Sequence, residues 1–256
     1  MTEAGQTKTS PLLWIIHNIT EDPVRMGWIV GGLLIIASLL ATRNLKEQPG
    51  KLQNIFEFLV ETLSNAVTAM MGRDGLKFLP LFGTLTLFIF VSNFVGLIPG
   101  CGSPTGNWNT TIALALIVFF STHYFGIRKK GFGYLSHFLF PIRFWKTMPY
   151  LAPLNFLADI LFVFIHLMGE LAKPFSLSLR LFVNMFSKHV TLLCLASVVV
   201  LFAKTPFLYL LTLFIPVLLP PAIMMLGVIG CIVQTLIFVL LSMIYISTAI
   251  EEEHHG

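Results

Sequence analysis

Between Met26 and Ile250 the chain alternates long apolar runs with short charged or Gly/Pro-rich breaks. The run lengths predict helices that cross a bilayer, since about 20 apolar residues at about 1.5 Å each span the hydrocarbon layer. Met26 to Thr42 reads as a first span, closed by Arg43, Lys46 and the Pro49-Gly50 breaker. Phe78 to Ile98 and Thr110 to Ile127 read as the next two. Lys51 to Met71 differs: Leu52, Ile55, Phe56, Leu59, Leu63 and Val67 recur at helical spacing with Gln53, Glu57, Glu61 and Asn65 between them. That pattern predicts an amphipathic helix lying on the membrane surface or against a partner.

Two further apolar segments, Leu154 to Ala203 and Pro206 to Ile250, are each about twice as long as one crossing requires. Each either breaks into two spans or runs as one steeply tilted helix. Pro174, Pro206, Pro216, Pro220 and Pro221 permit kinks at several points, so both readings stand.

The basic stretch 128–149 carries Arg128, Lys129, Lys130, Arg143 and Lys146 without a carboxylate, which predicts a cytoplasmic loop. Counting crossings back from it puts Gly100 to Asn109 outside, Arg73 to Lys77 inside and the segment 1–25 outside. An even number of later crossings returns Glu251 to Glu253 to the cytoplasm. The early run Pro11 to Ile16 is too short for the core of a signal peptide, and no small-x-small site follows it, so the first span is expected to be retained.

Composition agrees with a single membrane domain over residues 1–256: 56% of residues are apolar and 11% charged, and the mean hydropathy is +0.85. The expected fold class is an all-α integral membrane protein. The net charge of +4 comes without basic residues interleaved with aromatics, so no nucleic-acid partner is expected. Cys101, Cys194 and Cys231 have neither disulfide-framework nor zinc-ligand spacing, and no metal or cofactor is expected.

Lys173 to His189, KPFSLSLRLFVNMFSKH, puts an arginine inside the first long segment. With Arg180 at zero on a helix, Asn155, His166, Lys173, Ser176, Asn184 and Ser187 fall within about 40° of it, and Asp159 and Glu170 within about 80°. Nearly every polar residue of the segment is thus on one face, whereas His189 falls opposite. A charge at bilayer depth costs at least about 2.5 to 3.5 kcal/mol. Arg180 therefore either pairs with Glu170 or Asp159 as a packing device, snorkels to an interface, or faces a water-filled path or a partner's buried charge. It stays protonated at physiological pH, so its contribution is a fixed positive charge that lowers a neighbouring carboxylate's pKa. In the last segment Gly227, Gly230 and Gln234 share a face, a small-residue groove with one buried amide. His17, His123 and His137 are expected at interfaces.

The runs KPFSLSLRLFVNM and VQTLIFVLLSMIYISTA, and NFVGLIP with its upstream amphipathic helix, resemble subunit a of the bacterial and chloroplast F-type ATP synthase over essentially the whole chain. The resemblance implies a stator ion-channel subunit, non-catalytic on its own. Its surroundings would be membrane lipid, a ring of c subunits, the peripheral-stalk b subunits and the rest of the complex, in the bacterial plasma membrane. It implies that residues 150–250 form a long, tilted helical hairpin against the ring, and that protons pass through two offset half-channels.

In that reading Arg180 faces the ring carboxylate, with Asn184 beside it and Gln234 hydrogen-bonding nearby from the facing helix. His189 relays protons on the side where they enter. His166, Glu170, Lys173 and Ser176 line the cytoplasmic half-channel. Three positions depart from the family pattern: Gly227 stands where relatives often have His or Glu, His166 where many have glutamate, and Lys188 where a small residue is usual. A secondary transporter binding an anion at Arg180 is the alternative; it predicts repeated broken helices, and no repeat is evident.

Overall fold

A computed structural model describes residues 22–43, 50–98, 101–131, 152–202 and 209–250, and every regular element among them is helical. Helix α1, Pro23–Arg43, starts where the Asp22 carboxylate accepts the Val24 N–H at 3.1 Å and Pro23 supplies a preset first turn. Helix α2, Lys51–Met71, ends at Gly72, whose φ of 68° is one that glycine tolerates and whose N–H bonds Thr68 O. A 3₁₀ turn, Arg73–Phe78, leads straight into α3, Leu79–Val95. A second turn, Pro104–Gly106, precedes α4, Trp108–Lys130, whose N-cap Asn107 accepts the Asn109 N–H at 3.0 Å. Arg128, Lys129 and Lys130 crowd the last turn of α4, where cations complement the helix dipole.

Helices α5, Ala152–Phe202, and α6, Tyr209–Ile250, are unbroken over 51 and 42 residues. This removes the reading in which each long segment divides into two spans. Pro174 sits inside α5 without ending it. A proline costs a helix about 3 kcal/mol, but a chain that stopped being helical within lipid would strand several backbone groups at a comparable cost each. At about 1.5 Å per residue α5 is about 76 Å long, more than twice the hydrocarbon thickness.

Among the described residues, five helices are long and apolar enough to cross a membrane: α1, Arg73–Val95, α4, Leu161–Leu195 of α5 and Leu218–Ile250 of α6. Leu85 and Ile89 of α3, Leu114 and Val118 of α4, Leu177 and Leu181 of α5, and Phe238 of α6 form one buried cluster. A second cluster joins Leu63 and Val67 of α2 to Phe78, Phe82, Met243 and Ile246. The amphipathic helix is thus docked on the bundle through its C-terminal half. Its earlier residues Ile55 and Phe58 stay exposed, available to a membrane interface or a partner.

Burial is uneven in a way that bears on function. Only 11% of the α5 span is buried within the chain, against 33% for α6 and 39% for Arg73–Val95. Phe175, Val183, Phe186 and Leu193 of α5 are all more than half exposed. Helix α5 therefore presents an apolar face that the described residues leave uncovered.

Candidate functional site

The geometry starts from the close approach of α5 to α6. A Cβ built at Gly230 would lie 3.6 Å from the Lys188 ammonium and 3.9 Å from Asn184 Oδ1, ordinary contact distances that set both side chains directly against this turn of α6. Lys188 Nζ donates to Gly227 O at 3.3 Å. With Asn184 against Gly230 and Lys188 against Gly227, the helices run antiparallel, and stepping one turn along each brings Arg180 level with Gln234.

Arg180 is exposed and makes no hydrogen bond or ion pair with any described residue. Pairing with Glu170 is ruled out, because Glu170 is engaged by Lys173 in an i,i+3 ion pair. The Asp159 side chain lies outside the described residues. The expected polar stripe divides. Ser176, Arg180 and Ser187 are exposed beside the uncovered apolar face, while Glu170, Lys173 and Asn184 turn inward and are partly buried. Leu177, Leu181 and Met185, each at most 2% exposed, fix the rotation of the helix that produces this split.

Two polar clusters flank the Arg180–Gln234 level. In the first, the Glu170 side chain is only 14% exposed, and the Lys173 ammonium lies over the Tyr245 ring at 5.7 Å from its centroid. A narrow cavity beside the pair is lined by Phe119 and Thr122 of α4, Glu170, Lys173 and Pro174 of α5, and Tyr245 of α6. His123, expected at an interface, packs edge-on against Phe119 at 4.2 Å, within electrostatic reach of both Glu170 and Lys173. Three helices thus bring titratable groups to one place.

The second cluster runs from the turn before α4 into the α5–α6 groove. Ser103 Oγ and Thr105 Oγ1 are 3.0 Å apart, and the Thr105 hydroxyl donates to Asn93 Oδ1 at 2.7 Å. The Cys231 thiol donates to Asn93 O at 3.4 Å and accepts from Lys188 Nζ at 3.4 Å. Lys188 and Gly227, two separate departures in the sequence, meet here through the Gly227 carbonyl, while the Leu97 side chain fills the space that the glycine opens. Among the described residues, Ser92 Oγ, Asn93 Nδ2 and Gln234 Nε2 are buried without a hydrogen-bond partner.

The predicted residues are therefore brought together only in part. Gln234 is 6% exposed and level with Arg180, but no hydrogen bond joins them. Lys188, and not its neighbour His189, reaches α6; His189 is half-buried. Ser176 stays outside both clusters, exposed next to Arg180, and His166 is half-buried with a partner in its own chain. Asn93, Thr105, His123, Lys188 and Tyr245 were not expected in a site. The available signal was the pair Ser92-Asn93 inside an otherwise apolar span, since polar groups at that depth are costly. Among the described residues no group of His, Cys, Asp or Glu could hold a metal ion.

Bilayer-length helices packed around buried polar side chains fit a multi-pass membrane protein. The chain matches the ATP synthase A chain family over residues 24–247, and it belongs to that family. It is 42% identical to ATP synthase subunit a of Geobacter sulfurreducens over 93% of this chain and 92% of that one. It is also 42% identical to ATP synthase subunit a of Trichlorobacter lovleyi, over 97% and 95%. Identity to ATP synthase subunit a 3 of Pelobacter propionicus is 41%, over 93% and 92%.

Proposed function

We propose that this chain is the stator ion channel of an F-type ATP synthase, conducting protons through two offset half-channels to and from carboxylates on a ring of c subunits. The observation that carries the reading is Arg180: a permanent cation on an uncovered apolar face, with no anion from the described part of its own chain. A charge in that setting calls for a counter-charge from another chain. A ring carboxylate supplies one, and opposite charge within a few ångströms lowers a carboxylate's pKa by about one to three units. Each carboxylate thus gives up its proton on arriving at Arg180 and takes another after passing it.

The two polar clusters support the offset paths. Ser103, Thr105, Asn93, Cys231 and Lys188 line the route from outside, where buried donors without protein partners suit a wetted path. Glu170, Lys173, Tyr245 and His123 line the route to the cytoplasm. Arg180, between them, blocks direct passage. The membrane potential supplies about 2.3 kcal/mol per charge per 100 mV, which the ring turns into torque. The chain itself catalyses no bond chemistry. It sits in the bacterial plasma membrane with its N-terminus outside, held against the ring by the peripheral-stalk b subunits.

Cross-linking tests the face. In the assembled complex Val183→Cys and Phe186→Cys are expected to form disulfides with cysteines in the outer helix of the c subunit, and Leu181→Cys, buried inside the chain, is expected to form none. Equal yields from all three, or none from the exposed pair, would refute it.

His189 supplies a further prediction. As a relay on the side of proton entrance, His189→Ala slows ATP-driven proton uptake and alters its pH profile between about pH 5 and 8, where imidazole titrates. A slower rate with an unchanged profile returns His189 to packing.

A further inference from the structure

We propose that the chain binds the phosphodiester headgroup of an anionic phospholipid in a cavity at one membrane boundary, between about one and two helical turns along α4 and α6 from His123 and Tyr245. The cavity, of about 430 Å³, is lined by Lys77, Phe78, Phe125, Arg128, Lys129 and Ile250. Lys77 stands just before α3, Arg128 and Lys129 occupy the last turn of α4, and Ile250 ends α6. Phe78 and Phe125 meet edge to face at 4.6 Å, which draws the cationic ends of two spans together.

The lining has two characters. Three cationic side chains form the rim, all exposed, and none is in an ion pair among the described residues. Phe78, Phe125 and Ile250 form an apolar floor. A tendency of cations to collect on one side of a membrane protein explains their presence at this boundary. It does not explain an aromatic-floored cavity enclosed by them.

Charge favours an anion. The C-terminal dipole of α4 repels one with the equivalent of about half a charge, but three full positive charges outweigh it. Size and polarity narrow the choice further. The volume lies in the range of small-molecule sites and exceeds what a bare phosphate fills. The floor would bury apolar surface, which inorganic phosphate lacks and a diacylglycerol attached to a phosphate supplies. A membrane boundary also presents such lipids at high local concentration.

The test uses the intact complex in phosphatidylcholine nanodiscs doped with spin-labelled phosphatidylglycerol, read as the motionally restricted fraction of the label. Lys77→Gln, Arg128→Gln and Lys129→Gln are each expected to weaken retention about fivefold. The charge-preserving exchange Lys77→Arg, Arg128→Lys and Lys129→Arg is expected to keep it. The single variants alter one charge each and leave the topology signal largely in place. Retention indifferent to all three neutralisations overturns the site; that result is also expected if carboxylates of the adjoining Glu251–Glu253 sequence satisfy these cations instead. Displacement of the labelled lipid by inorganic phosphate alone overturns the lipid assignment.

Discussion

Replacing Arg180 by lysine is expected to abolish ATP-driven proton uptake by vesicles carrying the complex, as completely as replacing it by alanine. The two changes fail for different reasons. Alanine removes the cation, so a ring carboxylate facing that position loses a pKa depression of about one to three units and holds its proton more tightly where it should release it. Lysine keeps a nominal charge, but an ammonium is a strongly hydrated point charge whose pKa drops readily on desolvation, whereas guanidinium remains protonated. Facing a ring carboxylate in a desolvated site, lysine offers a compact charge without the planar fork of guanidinium and a proton that it can surrender, so it does not hold the fixed cation the mechanism needs. The alanine form is further expected to leak protons passively, because the barrier between the two polar clusters has gone. Passive leak is read as the decay of an imposed pH gradient, coupled transport as fluorescence quenching on ATP addition. Normal pumping by either variant would remove Arg180 from the mechanism.

The sequence is most informative where one physical term dominates. Apolar runs of bilayer length could only be helices, because no other open structure satisfies its backbone in lipid, and the five candidate spans follow from that alone. Whether α5 was one helix or two depended on a balance between the proline penalty and the cost of exposed backbone, which residue types do not reveal. The polar stripe was legible as an angle about one axis. The angle does not say which part of the face a neighbour covers, and here Leu177, Leu181 and Met185 set the rotation that turns Glu170 inward and leaves Arg180 outside. Lys188 was visible as an oddity, but its engagement with Gly227 depends on the register between helices 39 positions apart in sequence. His123 was passed over for a similar reason: on α4 it is a lone histidine, and its electrostatic partners belong to α5.

The ion pair of Glu170 and Lys173 gives the sharpest separation of transport from packing. Glu170→Gln alone leaves the Lys173 charge partly buried without its partner, so a loss of function could be a loss of assembly. Replacing both, with Glu170→Gln and Lys173→Met, removes the charges together, and such exchanges of a buried pair for neutral side chains of similar size are often neutral or stabilising. Methionine also keeps an unbranched chain beside the Tyr245 ring, with a sulfur that packs well on aromatics. If the pair only ties α5 to its neighbours, the double variant assembles and pumps normally. If Glu170 exchanges protons between the ring and the cytoplasm, the double variant assembles in normal amount while coupled transport falls by about a hundredfold, the scale of a positioned proton-transfer group. A His123→Asn variant extends the comparison, since it leaves the ion pair intact and removes the second titratable group of the cluster. With Glu170 still present, it is expected to retain transport but shift its pH profile. Quantities of assembled complex, measured by immunoblot of purified membranes, separate the outcomes: full assembly with full transport in the double variant would reduce Glu170 to a structural tie.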